Sequence, residues 1–349
     1  MDVVKEKSDP ILLWGIAGAS LGMELGKCLH LGGYRNIVGC DISPVAYGHF
    51  SEIFQSTHLL DQRSVAESLE GILRKAAPKF VLAGGDQVAR IIANYKEQFS
   101  AYGCQICANT EEVVALASDK YQVMMALRHA GFKIPETQLV HDATGVDGFP
   151  LPAVLKPRFD SGGSRGVVVV STPSDLKAKC EEIAKSGVPY IVQQYISDQN
   201  GEYTIGVLSQ TDGRVAGSIL LHRTFHNMLS VHERTDHFLI SSGSSQGIFE
   251  RNESLQKQAE AMAQCIGSKG PLNIQARVYA GDLMIFEINP RFSASTFLRT
   301  LSGVNEADLY IRHLASGADI QYPQWNEGIA LRTFGEVFVP RNQVPPDVF

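Results

Sequence analysis

Apolar runs alternate with turn residues and amphipathic stretches through the first hundred residues of the chain. Residues 11–15 form a continuous apolar run that is typical of a buried strand, and an amphipathic helix is predicted from about residue 21 to 31. Further strands are predicted over residues 36–40 and 79–83. This order of strands and helices predicts an N-terminal α/β domain over residues 1–114.

Glycines follow the first predicted strand with the spacing Gly15-x-x-Gly18-x-x-x-Gly22. A strand, a glycine turn, a helix and a second strand ending at Asp41 also describe a dinucleotide-binding unit. The spacing differs from G-x-G-x-x-G, and glycines also allow a strand and a helix to pack closely. Close packing is the favoured interpretation, and an NAD site remains the alternative.

A glycine- and serine-rich segment, residues 158–166, lies between two predicted strands at residues 153–157 and 167–170. Glycines let backbone N–H groups approach phosphate oxygens, Ser164 can donate a hydrogen bond, and Lys156 can neutralise charge from the strand. A plain glycine-rich hairpin has the same pattern. This segment is therefore a candidate phosphate-binding loop.

Residues 273–289 are predicted to form a β-hairpin with its turn at residues 280–282. Strict alternation would place Glu287 and Asn289 on one face and the bulkier apolar residues on the other. With a three-residue loop, Gln275 pairs with Glu287 and shares its face; a two-residue loop would turn it away. The hairpin is therefore expected to have the longer loop, with Gly281 at a positive φ.

The three polar side chains of this hairpin, Gln275, Glu287 and Asn289, offer the hard oxygen ligands that Mg²⁺ prefers, with phosphate and water completing its shell. Arg291 follows Pro290 where the chain leaves the sheet. A guanidinium beside a metal-bound triphosphate would stabilise charge on a transferring phosphoryl group. The alternative is a half-buried hairpin whose polar face meets water.

The string E-I-N-P-R-F-S-x-S-T from Glu287, with Gln275 twelve residues upstream, resembles the metal-binding strands of the ATP-grasp superfamily. The resemblance is to its carbamoyl-phosphate synthetase large-chain branch. It implies an α/β chain in which a Rossmann-like pre-ATP-grasp domain, residues 1–114, precedes a two-lobed α+β ATP-grasp module. The first lobe would cover residues 115–190, with a helical linker and the glycine-rich loop, and the second would cover residues 191–349.

The same resemblance assigns roles to individual residues. The implied magnesium ligands are Gln275, Glu287 and Asn289, and the implied catalytic residues are Arg291 and Lys156. The implied ATP-binding residues are Lys120, Lys156, Gly162, Gly163, Ser164, Gln193, Gln194, Tyr195, Ile196 and Glu202, the last of them through ribose hydroxyls. Gln194 stands where many members of the family have a glutamate.

Histidines and charged residues cluster from His222 to His237 without a clean periodicity. The spacing His222-x-x-x-His226 lacks a convincing third metal ligand. Arginine and protonatable histidine instead suit a carboxylate or phosphate, and a solvated loop is the other interpretation. The candidate substrate residues are His222, Arg223, His232, Arg234 and Ser293.

The chain has 349 residues with a net charge of −6, and it contains no dense run of Lys and Arg. Nucleic acid is therefore not expected as a partner. The apolar residues 11–19 are too few for a membrane span. Six dispersed cysteines favour a reducing compartment, so a cytoplasmic location is expected, and residues 103–108, which contain Cys104-x-x-Cys107, are predicted to form a short strand. A final strand is predicted over residues 332–339.

These observations predict an ATP-dependent carboxylate–amine ligase that uses Mg²⁺, with Mn²⁺ as the other candidate metal, and forms an acyl phosphate from small-molecule substrates. Full carbamoyl-phosphate synthesis is not expected, because only one ATP-grasp unit is present. A dinucleotide-dependent oxidoreductase and a non-catalytic nucleotide-binding module are the alternatives. Whether the protein forms a homodimer is left open by the sequence.

Overall fold

The structure is a computed structural model that describes residues 7–142, 144–159, 164–226, 228–235, 237–333, 335–337 and 339. The N-terminal elements are β1 (Ile11–Trp14), α1 (Leu21–Leu31), β2 (Ile37–Asp41), β3 (Ser56–Leu59), α2 (Val65–Ala76), β4 (Phe80–Ala83), α3 (Asp86–Asn94), α4 (Lys96–Ala101) and β5 (Gln105–Ile106). Among the described residues the five strands form a parallel sheet in the order β3-β2-β1-β4-β5. The predicted helix from residue 21 to 31 is confirmed.

The N-terminal glycines lie where β1 and α1 approach each other most closely. A Cβ atom on Gly22 would come within 1.9 Å of the Gly15 carbonyl oxygen, and one on Gly84 within 2.0 Å of the same oxygen. The Ser20 side chain caps α1 by accepting a hydrogen bond from the Met23 N–H. Close packing, the favoured interpretation, therefore accounts for Gly22 and its approach to Gly15, but not for Gly18, where a Cβ would make only an ordinary contact.

The middle of the chain folds around a small antiparallel sheet. Its elements are β6 (Thr137–Val140), β7 (Ala153–Pro157), β8 (Val168–Val170), α7 (Pro173–Ser186) and β9 (Tyr190–Gln194). Two preceding helices, α5 (Glu111–Ser118) and α6 (Lys120–His129), pack their apolar side chains against strands of the C-terminal part instead. The strand order is β6-β9-β7-β8 within the described residues. Thr110 and Asp119 cap the first turns of α5 and α6, because their side chains accept hydrogen bonds from backbone N–H groups of these turns.

The remaining elements build a larger antiparallel sheet. They are β10 (Glu202–Ser209), β11 (Val215–Arg223), β12 (Val231–Arg234), β13 (Leu239–Ser241), β14 (Gly247–Phe249), α8 (Glu253–Cys265), β15 (Pro271–Tyr279), β16 (Asp282–Asn289), α9 (Thr296–Ser302), α10 (Glu306–Ser316) and β17 (Gly328–Ala330). In the part of the chain that the structure describes, the strand order is β16-β15-β10-β11-β14-β17, and β12 and β13 form a separate hairpin. The middle and larger sheets face each other across a cleft.

The β15–β16 hairpin differs from the expected geometry in two ways that offset each other. Tyr279 pairs with Asp282, so the loop has two residues rather than three, and Ala280 and Gly281 both have a positive φ. A β-bulge at Phe286 then shifts the register by one residue. Gln275 consequently pairs with Glu287 as predicted, although the expected loop length was wrong.

The bulge also changes which side chains share a face. Phe286 lines the cleft together with Glu287, whereas Ile285 and Ile288 pack into the core behind the sheet. The strict alternation expected along this strand is therefore wrong, because the extra residue interrupts the two-residue period. Glu287 and Asn289 still face the cleft together.

Apolar packing joins the first sheet to the larger sheet. One core cluster combines residues of the N-terminal domain, such as Ile11 and Leu29, with Phe249 and Tyr310 from the C-terminal part. The middle sheet instead packs α7 onto its own cluster around Leu155 and Leu176. The cleft therefore lies between a small sheet with its own core and a larger unit with a shared core.

Two sequence predictions away from the cleft have opposite outcomes. The short strand predicted over residues 103–108 is present as the two-residue β5, and Cys104 and Cys107 are buried free thiols on either side of it. The strand predicted over residues 332–339 is wrong: β17 lies upstream of it, and the described residues of that range are not in a strand. Phe334 and Phe338 lie outside the described residues.

Arg332 explains why the chain leaves the sheet at this point. Its guanidinium turns inward, donates hydrogen bonds to the Ala294 and Ser245 carbonyl oxygens, and pairs with Glu24 of α1 at 3.0 Å.

No helix among the described residues combines the length and apolar character that a bilayer crossing requires.

The glycine contacts give a stability prediction. Gly22→Ala is expected to lower the free energy of unfolding by about 2 kcal/mol or more, because the added methyl group would overlap the Gly15 carbonyl oxygen. Gly18→Ala is the matched control, since its added Cβ would meet Tyr47 at an ordinary 3.4 Å. Urea unfolding of both variants measures the difference, and equal stability of the two would contradict the packing interpretation.

Candidate active site in the cleft between the two sheets

The cleft gathers polar side chains from the helix, strands and loops on both of its sides. Among the predicted site residues, those that line it are Lys120, Lys156, Ser164, Gln193, Gln194, Tyr195, Ile196, Arg223, Gln275, Glu287, Asn289, Arg291 and Ser293. Gly162 and Gly163 lie outside the described residues. Residues that are more than a hundred positions apart in the sequence therefore meet in one cleft.

Gln275, Glu287 and Asn289 lie on neighbouring strands and face the cleft. Gln275 is directly opposite Glu287, and Asn289 is directly opposite Asn273. These side chains present amide and carboxylate oxygens, the donor set that suits Mg²⁺ beside phosphate. Among the described residues no three His, Cys, Asp or Glu side chains gather in a way that could hold a metal. A metal site here would therefore rest on one carboxylate with two amides.

Asn273 is a cleft residue that the sequence did not reveal. Its Oδ1 accepts hydrogen bonds from Thr204 Oγ1 at 2.8 Å and from Arg299 Nη2 at 2.7 Å. Arg299 is 1 % exposed and also pairs with Glu306 at 3.0 Å. A buried charge network behind the strand thus fixes the orientation of one amide at the cleft floor.

Lys156 reaches across the cleft from β7 to the larger sheet. Its Nζ donates to Gln193 Oε1 at 2.8 Å and to the backbone oxygen of Phe286 at 2.6 Å. Burial, together with the nearby Lys120 ammonium, lowers the pKa of Lys156 to about 7, against the opposing effect of Glu287. A bound anion would favour the charged form of this side chain.

Lys120 is the first residue of α6, immediately after the capping residue Asp119. Asp119 also forms an ion pair with Arg158, the residue that follows β7, so the helix start is tied to the strand end. Burial lowers the pKa of Lys120, while the carboxylates of Glu287 and Asp86 oppose that shift. Lys120 therefore lies within electrostatic reach of two carboxylates, one on β16 and one at the start of α3.

Arg291 is held by a residue that the sequence did not indicate as part of the site. Its Nε and Nη2 donate to the two carboxylate oxygens of Asp86 at 2.7 and 2.8 Å. Asp86 begins α3, after the end of β4, so this bidentate pair joins the N-terminal domain to the cleft. Burial alone would raise the pKa of Asp86, but the Arg291 guanidinium outweighs it and the pKa is lowered.

Glu202 has a different environment from the one that the resemblance implies. Its carboxylate is fully buried between Arg223 at 2.9 Å and Arg277 at 2.8 Å, and Glu202 does not line the cleft. Burial raises the pKa of this carboxyl, but the two arginines more than offset it and the pKa is lowered. This position does not support the expected contact with ribose hydroxyls, because no carboxylate oxygen is exposed.

The candidate substrate residues divide into two groups. Arg223 and Ser293 are buried side chains that line the cleft. His222 instead stacks on Tyr203, with ring centroids 4.7 Å apart, and lies 3.2 Å from Glu250. His232 and Arg234 are exposed on β12, and none of these last three lines the cleft. The placement of His222, His232 and Arg234 therefore does not support substrate contact.

A further wall of the cleft, residues 239–245, was missed in the sequence. Leu239, Ile240 and a run of serines in this segment line the cleft opposite the middle sheet. Ser164 donates a hydrogen bond to the Ser241 carbonyl oxygen at 2.9 Å, which connects the glycine-rich segment to this wall. Small polar residues without periodicity carry no local signal that distinguishes a cleft wall from a solvated loop.

Residues 117–295 match the ATP-grasp domain, and the chain therefore belongs to the ATP-grasp family. The resemblance read from residues 275–300 is thereby confirmed. Members of the family use ATP and Mg²⁺. The match covers both the middle sheet and most of the larger sheet, including every proposed metal ligand.

Among curated proteins, the chain is 33% identical over 113 residues to a D-alanine–D-alanine ligase B of Chromobacterium violaceum, covering 31% of this chain and 35% of the ligase. It is 26% identical over 245 residues to the carbamoyl phosphate synthase large chain of Kocuria rhizophila, covering 65% of this chain and 20% of that protein. The matched segments thus span well under two thirds of these relatives.

Two solved structures illustrate the likeness of the fold. An N5-carboxyaminoimidazole ribonucleotide synthetase in complex with ADP has a TM-score of 0.65 at 16% identity, covering 93% of this chain and 80% of that chain. An L-amino acid ligase from Bacillus licheniformis has a TM-score of 0.64 at 13% identity, covering 88% and 74%. At these identities the likeness shows the fold alone.

The lowered pKa of Lys156 predicts proton uptake when ADP binds. At a pH about one unit above the free-state pKa, Lys156 is mostly neutral; the phosphates stabilise its ammonium form, raise its pKa and draw a proton from solution. Calorimetric titration of ADP in buffers of different ionisation enthalpy measures this uptake. Lys156→Arg, which is charged throughout, should lose it, and the same uptake in that variant would contradict the assignment.

The buried position of Glu202 predicts a loss of stability on neutralisation. Glu202→Gln would leave two buried guanidinium groups without their carboxylate and is expected to lower the free energy of unfolding by about 3–5 kcal/mol. The control is Asp212→Asn, which removes an exposed partner of Arg214 and should change stability much less. Unchanged stability with lost ADP affinity in Glu202→Gln would instead restore the ribose role.

Proposed function

We propose that the protein is an ATP-dependent carboxylate–amine ligase that works through an acyl phosphate and releases ADP and phosphate. The observation that carries this proposal is that oxygen ligands suited to a metal ion and cationic side chains suited to phosphate line the same cleft. The oxygen donors of Gln275 and Glu287 face the cleft that also receives Lys156 and Arg291. Membership of the ATP-grasp family supports the same chemistry.

The residues of the cleft have separate roles in the proposed reaction. Lys120 and Lys156 bind phosphate oxygens, and Arg291 stabilises charge on the transferring phosphoryl group. Gln275, Glu287 and Asn289 would hold Mg²⁺, which would neutralise and orient the triphosphate when bound. The backbone of residues 193–196 lies along the same cleft and would hold the adenine.

The bond changes need no protein nucleophile. A substrate carboxylate oxygen attacks the terminal phosphorus of ATP, the bond to the bridging oxygen breaks, and ADP leaves with that electron pair. A neutral amine then attacks the acyl carbon, the carbon–oxygen bond to phosphate breaks, and the amine proton is released. The protein contributes alignment of two anions and charge neutralisation.

Arg223 and Ser293 are the proposed contacts for the carboxylate substrate. Arg223 and Arg277 both line the cleft and share the single carboxylate of Glu202, so the trio carries one positive charge in excess. A buried excess charge of this sign favours an anionic substrate group. Ser293 can donate from the opposite side of the same cleft.

The N-terminal domain is proposed to be a Rossmann-like pre-ATP-grasp domain, residues 1–114, that contributes packing and substrate contacts. Residues 115–190 and 191–349 are proposed as the two lobes of the ATP-grasp module. A parallel sheet that contributes Asp86 to the cleft supports this division. The close packing of its glycines gives no support to the NAD-dependent alternative.

The proposed roles give a prediction for turnover. ADP release is followed by a coupled assay with a panel of carboxylates and amines. Glu287→Gln and Arg291→Ala are each expected to lower kcat by about 100-fold or more, because each removes charge that faces the transferring phosphoryl group. Both variants should keep the wild-type circular dichroism spectrum.

Asp282→Asn is the matched control for the strand that carries Glu287. Asp282 begins β16 but pairs with Lys133 outside the cleft, so its neutralisation should leave kcat unchanged within about twofold. Full activity in Glu287→Gln or Arg291→Ala would refute the assigned roles. Turnover that needs no carboxylate would refute the reaction class itself.

A further inference from the structure

A second cavity of about 570 Å³ lies between the N-terminal domain and the larger sheet. Its walls come from α3 and α4, from residues 104–118, and from Lys269 and Tyr310 on the opposite side. Cavities of this size hold small organic molecules. The cavity is outside the site described above, except at one place.

The two cavities meet at the ion pair between Asp86 and Arg291. Both residues line both cavities, so this pair forms the wall between them. The Asp86 side chain is 44 % exposed, against 18 % for Arg291, and is therefore the more accessible member of the pair. A ligand in the second cavity can reach the carboxylate without entering the cleft.

Asp86 also lies close to the groups that would handle phosphate. The carboxylates of Asp86 and Glu287 both oppose the lowering of the Lys120 pKa, and all three residues line the cleft. A group bound to Asp86 from the second cavity would therefore lie beside the position where the acyl phosphate forms. The second substrate of the proposed reaction has to approach that position.

We propose that the second cavity binds the amine substrate and that Asp86 holds its ammonium group, which gives up one proton to water as the resulting neutral amine leaves the carboxylate to attack the acyl carbon. This inference rests on the proposed ligase function and names the residue that recognises the nucleophile. A carboxylate with two oxygens at the cavity wall is complementary to a primary ammonium group. An uncharged amide or alcohol of the same size would gain no comparable interaction.

The ion pair gives this binding step a consequence for Arg291. An ammonium group that takes the oxygens of Asp86 replaces the Arg291 guanidinium as its partner. The guanidinium then has its charge available for the phosphoryl group in the cleft. Binding of the amine would thus affect the position of Arg291, because the ammonium group takes the place of the guanidinium at Asp86.

The test separates amine binding from carboxylate activation. Hydroxylamine, which is a neutral nucleophile at neutral pH, traps an acyl phosphate as a hydroxamate and needs no ammonium site. Asp86→Asn is expected to raise KM for the amine about 10- to 100-fold, the loss of one charged hydrogen-bonding partner, and to slow hydroxamate formation by a smaller factor, because Asp86 also holds Arg291. The probe is the amine with the highest turnover in the panel, or glycinamide where none turns over.

A second variant tests the cavity without changing the ion pair. Ala89 lies three residues after Asp86 on α3 and lines the second cavity, so Ala89→Leu should fill space beside the carboxylate and also raise KM for the amine. Asp212→Asn is the control for loss of a carboxylate elsewhere and should change neither measurement.

Three outcomes decide the proposal. An unchanged KM in Asp86→Asn and Ala89→Leu would overturn it, and so would an equal loss of hydroxamate formation in Asp86→Asn, which would make Asp86 only a positioning residue for Arg291. Wild-type protein that forms no hydroxamate would refute the ligase function instead. Calorimetric binding of glycinamide, with acetamide as the uncharged counterpart, then still decides whether Asp86 holds an ammonium group.

Discussion

The pairing of β15 with β16 determines the arrangement of the whole cleft. A two-residue turn alone would set Gln275 opposite Phe286, and the bulge at Phe286 brings Glu287 into that position instead. A bulged residue is left out of the ladder, so its backbone oxygen remains available as an acceptor. Lys156 donates to that oxygen from the other side of the cleft. One irregularity therefore positions the carboxylate and also anchors the lysine.

Charge balance in the cleft follows from the same architecture. The cations that line the cleft have carboxylates from other elements within reach: Glu287 for Lys120 and Lys156, Asp86 for Arg291, and Glu202 for Arg223 and Arg277. Burial would otherwise penalise these cations heavily. The carboxylates stabilise the cations until polyanionic ligands bind. The lowered pKa of Lys156 shows that nearby carboxylates do not offset the effect of burial on this ammonium group.

Local patterns predicted the parts of the fold that local physics determines. Apolar patterns predicted α1 and β7 closely, and the Gln275–Glu287 pairing was correct despite the wrong loop length. Asp86 is 205 residues away from Arg291, so nothing near either residue indicates their contact. The burial of Glu202 depends likewise on Arg223 and Arg277, and only the packed sheet brings the three together.

The distribution of apolar contacts indicates which parts of the cleft are held firmly. Asp86, Arg291 and Glu287 belong to the unit whose shared core joins the N-terminal sheet to the larger sheet. The middle sheet has its own core and meets that unit around the cleft through polar contacts, such as Lys156 to Phe286 and Ser164 to Ser241. Water or phosphate can replace such contacts at a small net cost, whereas separating a shared apolar core exposes its whole surface. A nucleotide can therefore enter the cleft at the lowest free-energy cost if the middle sheet moves away. The proposed metal ligands and Arg291 would then keep their positions relative to one another.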